Sequence, residues 1–447
     1  MSAPPGPAWS GRRLHFVGVA GAGMSAYARA AYQLGASVTG SDRNDSPFAR
    51  ALRADGVLEP LIGHRSENVP PGDDVTVVSS SAIAADNVER RAAAERGLRV
   101  MTRAELLGEL TGLRRTIAVA GAHGKTTTAA MIATALRAGG LDPSYLIGGT
   151  LPGGRPGGAW GSGEWLVVEA DESDRSLLSL DVEIAVLLNA ELDHHDRFGS
   201  LAEIEAVYSE FLAHAPQAVI WNRPELLALR DGPVVAYDAA PQLTAGGSRF
   251  ELDGVPVELR VPGAHNARNA AAALSVAALV GADPAAAAAA LGEFRGVERR
   301  FERLGSTPTG AEIYDDYAHH PSEIAATLAA ARTLAPKRLI AAFQPHLYSR
   351  TRALRREFGG ALAAADTVVV LDIYPAREEA RDFPGVSGLM IAEAAADAAA
   401  GKPVYWLPDR EIAARVIGDL LGSGDLVLVM GAGDIDELGR RLAQNRG

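Results

Sequence analysis

The chain has 447 residues, 47% apolar and 22% charged, with 55 acidic against 43 basic side chains and a formal net charge of -12. This length exceeds one ordinary core and predicts several domains of roughly 100–200 residues each, while the composition excludes a disordered chain. The acidic balance argues against a general nucleic-acid partner, and the absence of cysteine excludes disulfides, thiolate metal sites and a thiol nucleophile.

At the N-terminus, arginines precede the run LHFVGVA, but glycines break it and it leads directly into a strand-turn-helix pattern, which reads poorly as a signal peptide. No stretch reaches the roughly 18 continuous apolar residues of a membrane span, the alanine run from Ala285 being the nearest. A soluble, cytoplasmic protein without a membrane partner is therefore expected. Short β-branched runs alternate with helical stretches, the pattern of α/β domains built on parallel sheets. The first block predicts strands at Leu14–Ala20, Ser37–Asp42, Val75–Ser80 and Arg99–Thr102. A second cycle begins at Arg115 and continues through EWLVVEADE and VEIAVLLNAE. The two alternating runs around Asp253-Gly254 predict a hairpin. An Ala-rich helical pair follows, with Asp283 as N-cap and Pro284 at the first helical position. A third cycle has strands at Arg338–Phe343, Thr367–Ile373, Val404–Leu407 and Leu426–Met430. Three α/β domains are predicted, spanning 1–112, 113–296 and 297–447.

The strongest chemical signal is Gly121-Ala122-His123-Gly124-Lys125-Thr126-Thr127-Thr128, between a strand and a helix. Backbone N–H groups of such a turn, together with the helix N-terminus, cradle phosphate oxygens. Lysine adds a point charge, and a threonine hydroxyl can bind Mg²⁺. Val119 stands where a full Walker A loop has glycine, so this is a shorter GxxGK[ST] loop. Lysine occurs only at positions 125, 337 and 402, which sets Lys125 apart from surface decoration. Two acidic clusters, Glu169 to Asp174 and Asn189 to Asp196, end strands of the same domain, where ligands of parallel sheets sit. An ATP–Mg²⁺ site is expected there, against the plainer alternative of solvated acidic loops.

In the first domain Gly18, Gly21 and Gly23 form GxxGxG, followed by Met24 and Ser25. Asp42 ends the second strand about where a ribose-binding acid would lie. NAD binding competes with this reading, but the glycine spacing counts against it. In the third domain the loops Asp315-Asp316-Tyr317-Ala318-His319-His320-Pro321 and Phe343 to Thr351 concentrate polar residues after successive strands. A zinc site is conceivable, although the histidines lack H-x₃-H or HExxH spacing. A small-substrate pocket fits them better.

Taken in order, VGVAGAGMS, GAHGKTTT, EADESD, NAELDHHD, PGAHNARNA, GVERRF, DDYAHHPSEI, FQPHLYSRT and GAGDI run from residue 17 to residue 435. On these segments the chain resembles the Mur ligases of peptidoglycan synthesis. The resemblance implies a Rossmann-like N-terminal domain binding a UDP-sugar, a central P-loop ATPase-type domain and a Rossmann-like C-terminal domain. The implied reaction is ATP-dependent joining of L-alanine to the lactyl carboxylate of UDP-N-acetylmuramate through an acyl phosphate. The alternative is a recycling ligase that attaches a whole tripeptide.

By the same resemblance Thr126, Glu169 and His194 match Mg²⁺ ligands. Asn266 and Asn269 match adenine contacts, and Asp316 matches a contact to the ATP ribose. Tyr317, His319, His346 and Arg350 match positions around the incoming amino acid and the acyl phosphate. Lys125, His319, His346 and Arg350 carry the implied catalytic roles. Gly18, Gly21, Gly23, Met24, Ser25, Asp42 and Ser80 are expected at the UDP-sugar. ATP and Mg²⁺ are the expected cofactors, the partners are small molecules, and the chain is expected to be a monomer or homodimer. Two departures stand out: Leu347 replaces an arginine common in the family, and no lysine lies between Lys125 and Lys337 to bridge two Mg²⁺ ions after carbamylation. The second departure fits the alanine-adding branch.

Overall fold

The computed structural model describes residues 8–80, 82–151, 153–193 and 197–444. His194, expected as a metal ligand, lies outside the described residues.

The first sheet comprises β1 (Arg13–Val17), β2 (Ser37–Asp42), β3 (Leu61–Ile62), β4 (Val75–Ser79) and β5 (Val100–Thr102), in the order β3-β2-β1-β4-β5. All its pairings are parallel. This is a Rossmann-like arrangement. The chain moves outward from β1 on one side and then on the other, so β1 ends at the switch point where open α/β sheets bind ligands. The expected strand to Ala20 stops at Val17, because Gly18 at φ +84° turns the chain out of the sheet.

The second sheet contains β6 (Arg115–Ala120), β7 (Ser144–Leu146), β8 (Gly158–Ala159), β9 (Trp165–Glu169), β10 (Ile184–Leu187), β11 (Gln217–Trp221) and β12 (Val235–Tyr237). Its order is β12-β11-β10-β6-β9-β7-β8, and only β8 runs antiparallel. Because β6 lies between β10 and β9, the loops leaving all three emerge side by side. Beside this sheet β13 (Gln242–Thr244), β14 (Gly247–Leu252) and β15 (Val255–Leu259) form a small antiparallel sheet. The expected hairpin is present: Asp253 and Gly254 have φ of +50° and +79°, the double positive φ of a type I′ turn. The Ala-rich pair is also present as helices Ala264–Leu279 and Pro284–Gly292, and Asp283 caps the second through Ala286 N–H at 2.7 Å.

The last sheet has β16 (Glu302–Ser306), β17 (Glu312–Asp316), β18 (Arg338–Phe343), β19 (Thr367–Val370), β20 (Val404–Trp406) and β21 (Asp425–Met430), ordered β16-β17-β21-β18-β19-β20. Here β21 separates β17 from β18 and runs parallel to both, so the two polar loops of the third domain leave the same edge. Strands buried on both faces, such as the fully buried β21, carry continuous apolar runs, as helix-covered parallel sheets require. One apolar cluster joins Phe16, Met24 and Leu106 of the first domain to Leu166, Leu187 and Phe211 of the second. Among the described residues no helix is long and apolar enough to cross a membrane.

Candidate active site at the domain junctions

The Lys125 loop follows β6, and helix Lys125–Ala138 starts at Gly124 without any side-chain cap, so its first N–H groups remain available to an anion. Glycine is required twice. Gly121 has φ +134° and lies against Asn189, and Gly124 has φ +85°, where a Cβ would come within 3.0 Å of Asn269 Oδ1. Asn189, at the end of β10, clamps the loop from below: its Oδ1 accepts from His123 N–H and its Nδ2 donates to His123 C=O, both at 3.0 Å.

Lys125 Nζ donates to Gly121 C=O at 2.6 Å and to both Glu172 oxygens at 3.1 and 3.0 Å. Burial works against its charge, but Glu172 and Asp171 outweigh burial and hold the ammonium more firmly protonated than usual. Thr126 Oγ1 donates to Glu169 Oε2 at 2.9 Å, and Glu169 Oε1 accepts from Gly148 N–H at 2.6 Å. A hydroxyl and a carboxylate in contact at the phosphate end of the loop are hard oxygen donors of the kind that hold Mg²⁺.

Next to the loop a cavity of about 540 Å³ opens between the second and third domains. His123, Gly124 and Thr127 line one wall, Asn266 and Asn269 another, and Asp316 with Glu323 closes it from the third domain. Asn266 is anchored by Nδ2 to Pro262 C=O at 2.8 Å, and Asn269 Nδ2 reaches Asn266 Oδ1 at 3.4 Å. Asp316 accepts from the N–H groups of Phe301 and Ala318 at 2.8 and 2.7 Å, yet burial pushes its carboxyl up to about 6. Its neighbour Asp315 rises to about 7, again through burial, although Arg299 Nε donates to it at 3.1 Å.

The third-domain residues face the same junction. Arg350 is buried and donates from Nε and Nη2 to Asp193 Oδ1 at 3.1 and 2.6 Å. In this structure the fork of Arg350 is therefore held by a carboxylate of the second domain. His346 lies beside it, with Arg350 Nη1 3.5 Å from His346 Nδ1. Burial, then the neighbouring His319 and Arg350, push the His346 imidazole down to about 3, which keeps it neutral. Tyr317 is covered by the guanidinium groups of Arg299 and Arg300, 5.1 and 5.0 Å from its ring centre. Leu347 is buried at φ +70° and starts helix Tyr348–Leu362.

In the first domain the GxxGxG loop sits at the switch point. Asp42 Oδ2 accepts from Ala20 N–H at 2.8 Å, so this carboxylate shapes the loop. A Cβ on Gly18 would lie 3.2 Å from Ser80 Cβ, which brings the ends of β1 and β4 together. Gly21 caps helix Ala22–Gln33 with no side-chain bond, leaving its N–H groups open. Met24 and Ser25 are buried instead of lining the loop's mouth. Met24 joins the core, and Ser25 Oγ donates to Ala22 C=O at 2.9 Å. Tyr27, one turn further on, is buried near Arg103 and near Glu169 and Asp171 at the end of β9.

The sequence pattern did not single out Glu191, Glu323, His320 or Arg103 as individual contributors. Glu191 accepts from Ser322 Oγ across the domain boundary. Glu323 closes a capping box at the start of helix Pro321–Arg332, accepting from His319 and His320 N–H at 2.9 and 3.2 Å. The spacing from His320 to Glu323, with Pro321 at the first helical position, was the available signal for it. Arg103 lies 3.6 Å from Asp171, a partner that no local pattern indicates.

Fold and site together define a three-domain α/β enzyme in which a phosphate loop faces a cleft closed by a separate domain. Three family descriptions match in succession: "Mur ligase family, catalytic domain" over residues 13–115, "Mur ligase middle domain" over 161–277, and "Mur ligase, glutamate ligase domain" over 299–433. The chain belongs to the Mur ligase family, whose members are ATP-dependent. It is 42% identical to the UDP-N-acetylmuramate–L-alanine ligase of Thermobifida fusca, with 97% of each chain covered. It is 43% identical to the enzyme of the same name from Streptomyces avermitilis, with 96% of each covered. The crystal structure of UDP-N-acetylmuramate-alanine ligase from Thermotoga maritima matches with a TM-score of 0.80 at 29% identity, covering 96% of this chain and 98% of that one.

Proposed function

We propose that this protein joins L-alanine to the lactyl carboxylate of UDP-N-acetylmuramate, converting ATP to ADP and phosphate. The observation that carries this reading is identity of 42–43% along nearly the whole chain to relatives of that name. The cleft supports it, because a phosphate loop, a neutral histidine and a buried arginine meet there at a domain junction. The tripeptide-adding alternative is not favoured, because the relatives matched at 42–43% along nearly the whole chain carry the alanine-adding name.

In this reading residues 1–112 hold the sugar nucleotide, 113–296 hold ATP and 297–447 present the amine. The first domain's open helix N-terminus at Gly21, shaped by Asp42 and Ser80, receives the diphosphate of the UDP-sugar. Asn266 and Asn269 accept the adenine edge, and Asp316 the ribose. Loop amides from Gly121 to Thr127 surround the outer phosphates, with the Lys125 charge beside them. The lactyl carboxylate attacks the γ-phosphorus, forming a carboxyl–phosphate bond as the bond to ADP breaks. Lys125 and the loop amides stabilise charge on the transferring group by fixed electrostatics.

Thr126 and Glu169 would hold Mg²⁺, which when bound neutralises phosphate charge as a Lewis acid. The alanine amine then attacks the acyl carbonyl, and the tetrahedral intermediate expels phosphate to leave the amide. Arg350 is placed to pair with an acyl-phosphate oxygen, a fork that lysine cannot reproduce. Neutral His346 adds no second positive charge beside it, and His319 and Tyr317 complete the amine pocket.

The test is phosphate release from ATP and Mg²⁺ with UDP-N-acetylmuramate, adding L-alanine or the tripeptide separately. Release that requires both the sugar nucleotide and L-alanine is expected. Release only with the tripeptide, or none with any amine while ATP still binds, would overturn the assignment.

A further inference from the structure

The same junction carries a group of side chains that the proposed reaction does not use as a set. His123 comes from the phosphate loop, Glu191 from the segment after β10, and His320 from the third domain. One ligand atom from each lies within 4.8 Å of the others. Glu191 Oε2 is central, 3.3 Å from His123 Nε2 and 3.5 Å from His320 Nδ1. Tetrahedral zinc with bonds of about 2.0–2.1 Å places neighbouring ligand atoms about 3.4 Å apart. Two edges of the triangle, from Glu191 to each imidazole, already have that length.

The supporting residues also fit. Glu323 Oε1 lies 3.3 Å from His123 Nδ1, on the far side of the ring from Glu191. That is the carboxylate–histidine arrangement that orients a metal-bound imidazole. Glu323 is itself held by the N–H groups of His319 and His320, and Arg300 Nη1 lies 3.6 Å from it. His123 Nδ1 is buried and faces Glu323 without a hydrogen bond of good geometry, while Nε2 faces Glu191. The side chains of His123 and His320 are 14% and 9% exposed, and the 540 Å³ cavity bordering His123 and Glu191 provides both an entry path and room for a fourth ligand.

We propose that His123, Glu191 and His320 form a binding site for a zinc-class divalent cation that ties the phosphate loop to the third domain. Two imidazole nitrogens and one carboxylate with an open fourth position form a borderline-soft set that suits Zn²⁺ or Co²⁺ over Mg²⁺. It is therefore distinct from the hard-oxygen pair of Thr126 and Glu169. Because its ligands come from two domains, the bound cation holds the junction in the arrangement seen here and slows the opening that nucleotide exchange needs.

The experiment titrates the metal-stripped full-length protein with Co²⁺ and Zn²⁺ in excess Mg²⁺, which keeps the oxygen site filled. The expected result is one Co²⁺ per chain with the intense visible bands of tetrahedral coordination, displaced by Zn²⁺. His320→Asn removes the imidazole while keeping a good helix cap, and should weaken binding at least a hundredfold. Its circular dichroism and melting in chelator should match the parent. Glu191→Gln is the second variant, with the same expected loss. Zn²⁺ should raise the melting temperature of the parent and not of either variant. No binding, a weak octahedral Co²⁺ spectrum, or binding that both variants leave unchanged would overturn the proposal.

Discussion

Glu89 offers a demanding test of how the first domain holds its ligand loop. It is fully buried, and its Oε2 accepts from His15 Nε2 at 2.9 Å and Ser41 Oγ at 2.7 Å. Its Oε1 lies 3.1 Å from His64 Nδ1 and accepts from Arg65 N–H at 3.2 Å and Asn68 Nδ2 at 2.9 Å. Burial alone would raise its pKa, but the hydrogen bonds from His15, Ser41 and Asn68 more than offset this and bring it from the usual 4.5 to about 2. At 1.36 kcal/mol per unit the carboxylate contributes about 3 kcal/mol. Because the folded value is the lower one, this stability is fully present above pH 4.5 and is lost as pH falls from there through about 2.

Glu89→Gln removes the same contribution at neutral pH by turning an amide N–H₂ toward donors, at a cost of about 3–5 kcal/mol for a broken buried charge network. For a domain of ~100 residues each kcal/mol shifts melting by about 4–8 °C, so the first-domain transition should fall by well over 10 °C in calorimetry. Ser41 adjoins Asp42, which shapes the GxxGxG loop, so KM for the sugar nucleotide should rise as well. A first transition within about 3 °C of the parent, from the shift per kcal/mol above, would refute the reasoning.

Lys125→Ala, tested at a temperature where circular dichroism shows it folded, should lower kcat/KM by at least about 10²–10³-fold, the cost of one preorganised charge in such a site; parental phosphate release would remove Lys125 from the chemistry. Gly124→Ala places a Cβ 3.0 Å from Asn269 Oδ1 at φ +85°, a strain of about 1–3 kcal/mol. It should raise KM for ATP in steady-state assays, and an unchanged KM would mean the loop does not touch the nucleotide. Arg350→Lys gives up one of two charge-assisted bonds to Asp193, worth about 1.5–3 kcal/mol, or roughly ten- to hundredfold in kcat/KM. A change below threefold would show that the fork is dispensable.

Local features were legible because local chemistry enforces them. Asp253-Gly254 selects its turn through positive φ at both residues, and Asp283-Pro284 starts a helix wherever the surrounding chain lies. The Lys125 loop was readable for the same reason, since an uncapped helix start after a strand needs glycine at the turn. Two-residue strands such as Leu61–Ile62 and Gly158–Ala159 were not readable. They are too short for periodicity and exist only because a neighbouring edge offers hydrogen bonds.

The division for this protein follows sequence separation. The sequence alone determined the α/β class, the phosphate-binding turn and the residues able to bear charge chemistry, because these depend on dihedral preferences and spacing over a few residues. Tertiary structure decided that Met24 belongs to the core, that Asp42 braces its own loop, and that Arg350 meets Asp193 across 157 residues. It also brought His123, Glu191 and His320 together. Contacts of that kind follow from strand order and from burial summed over whole domains, quantities that no short stretch of sequence contains.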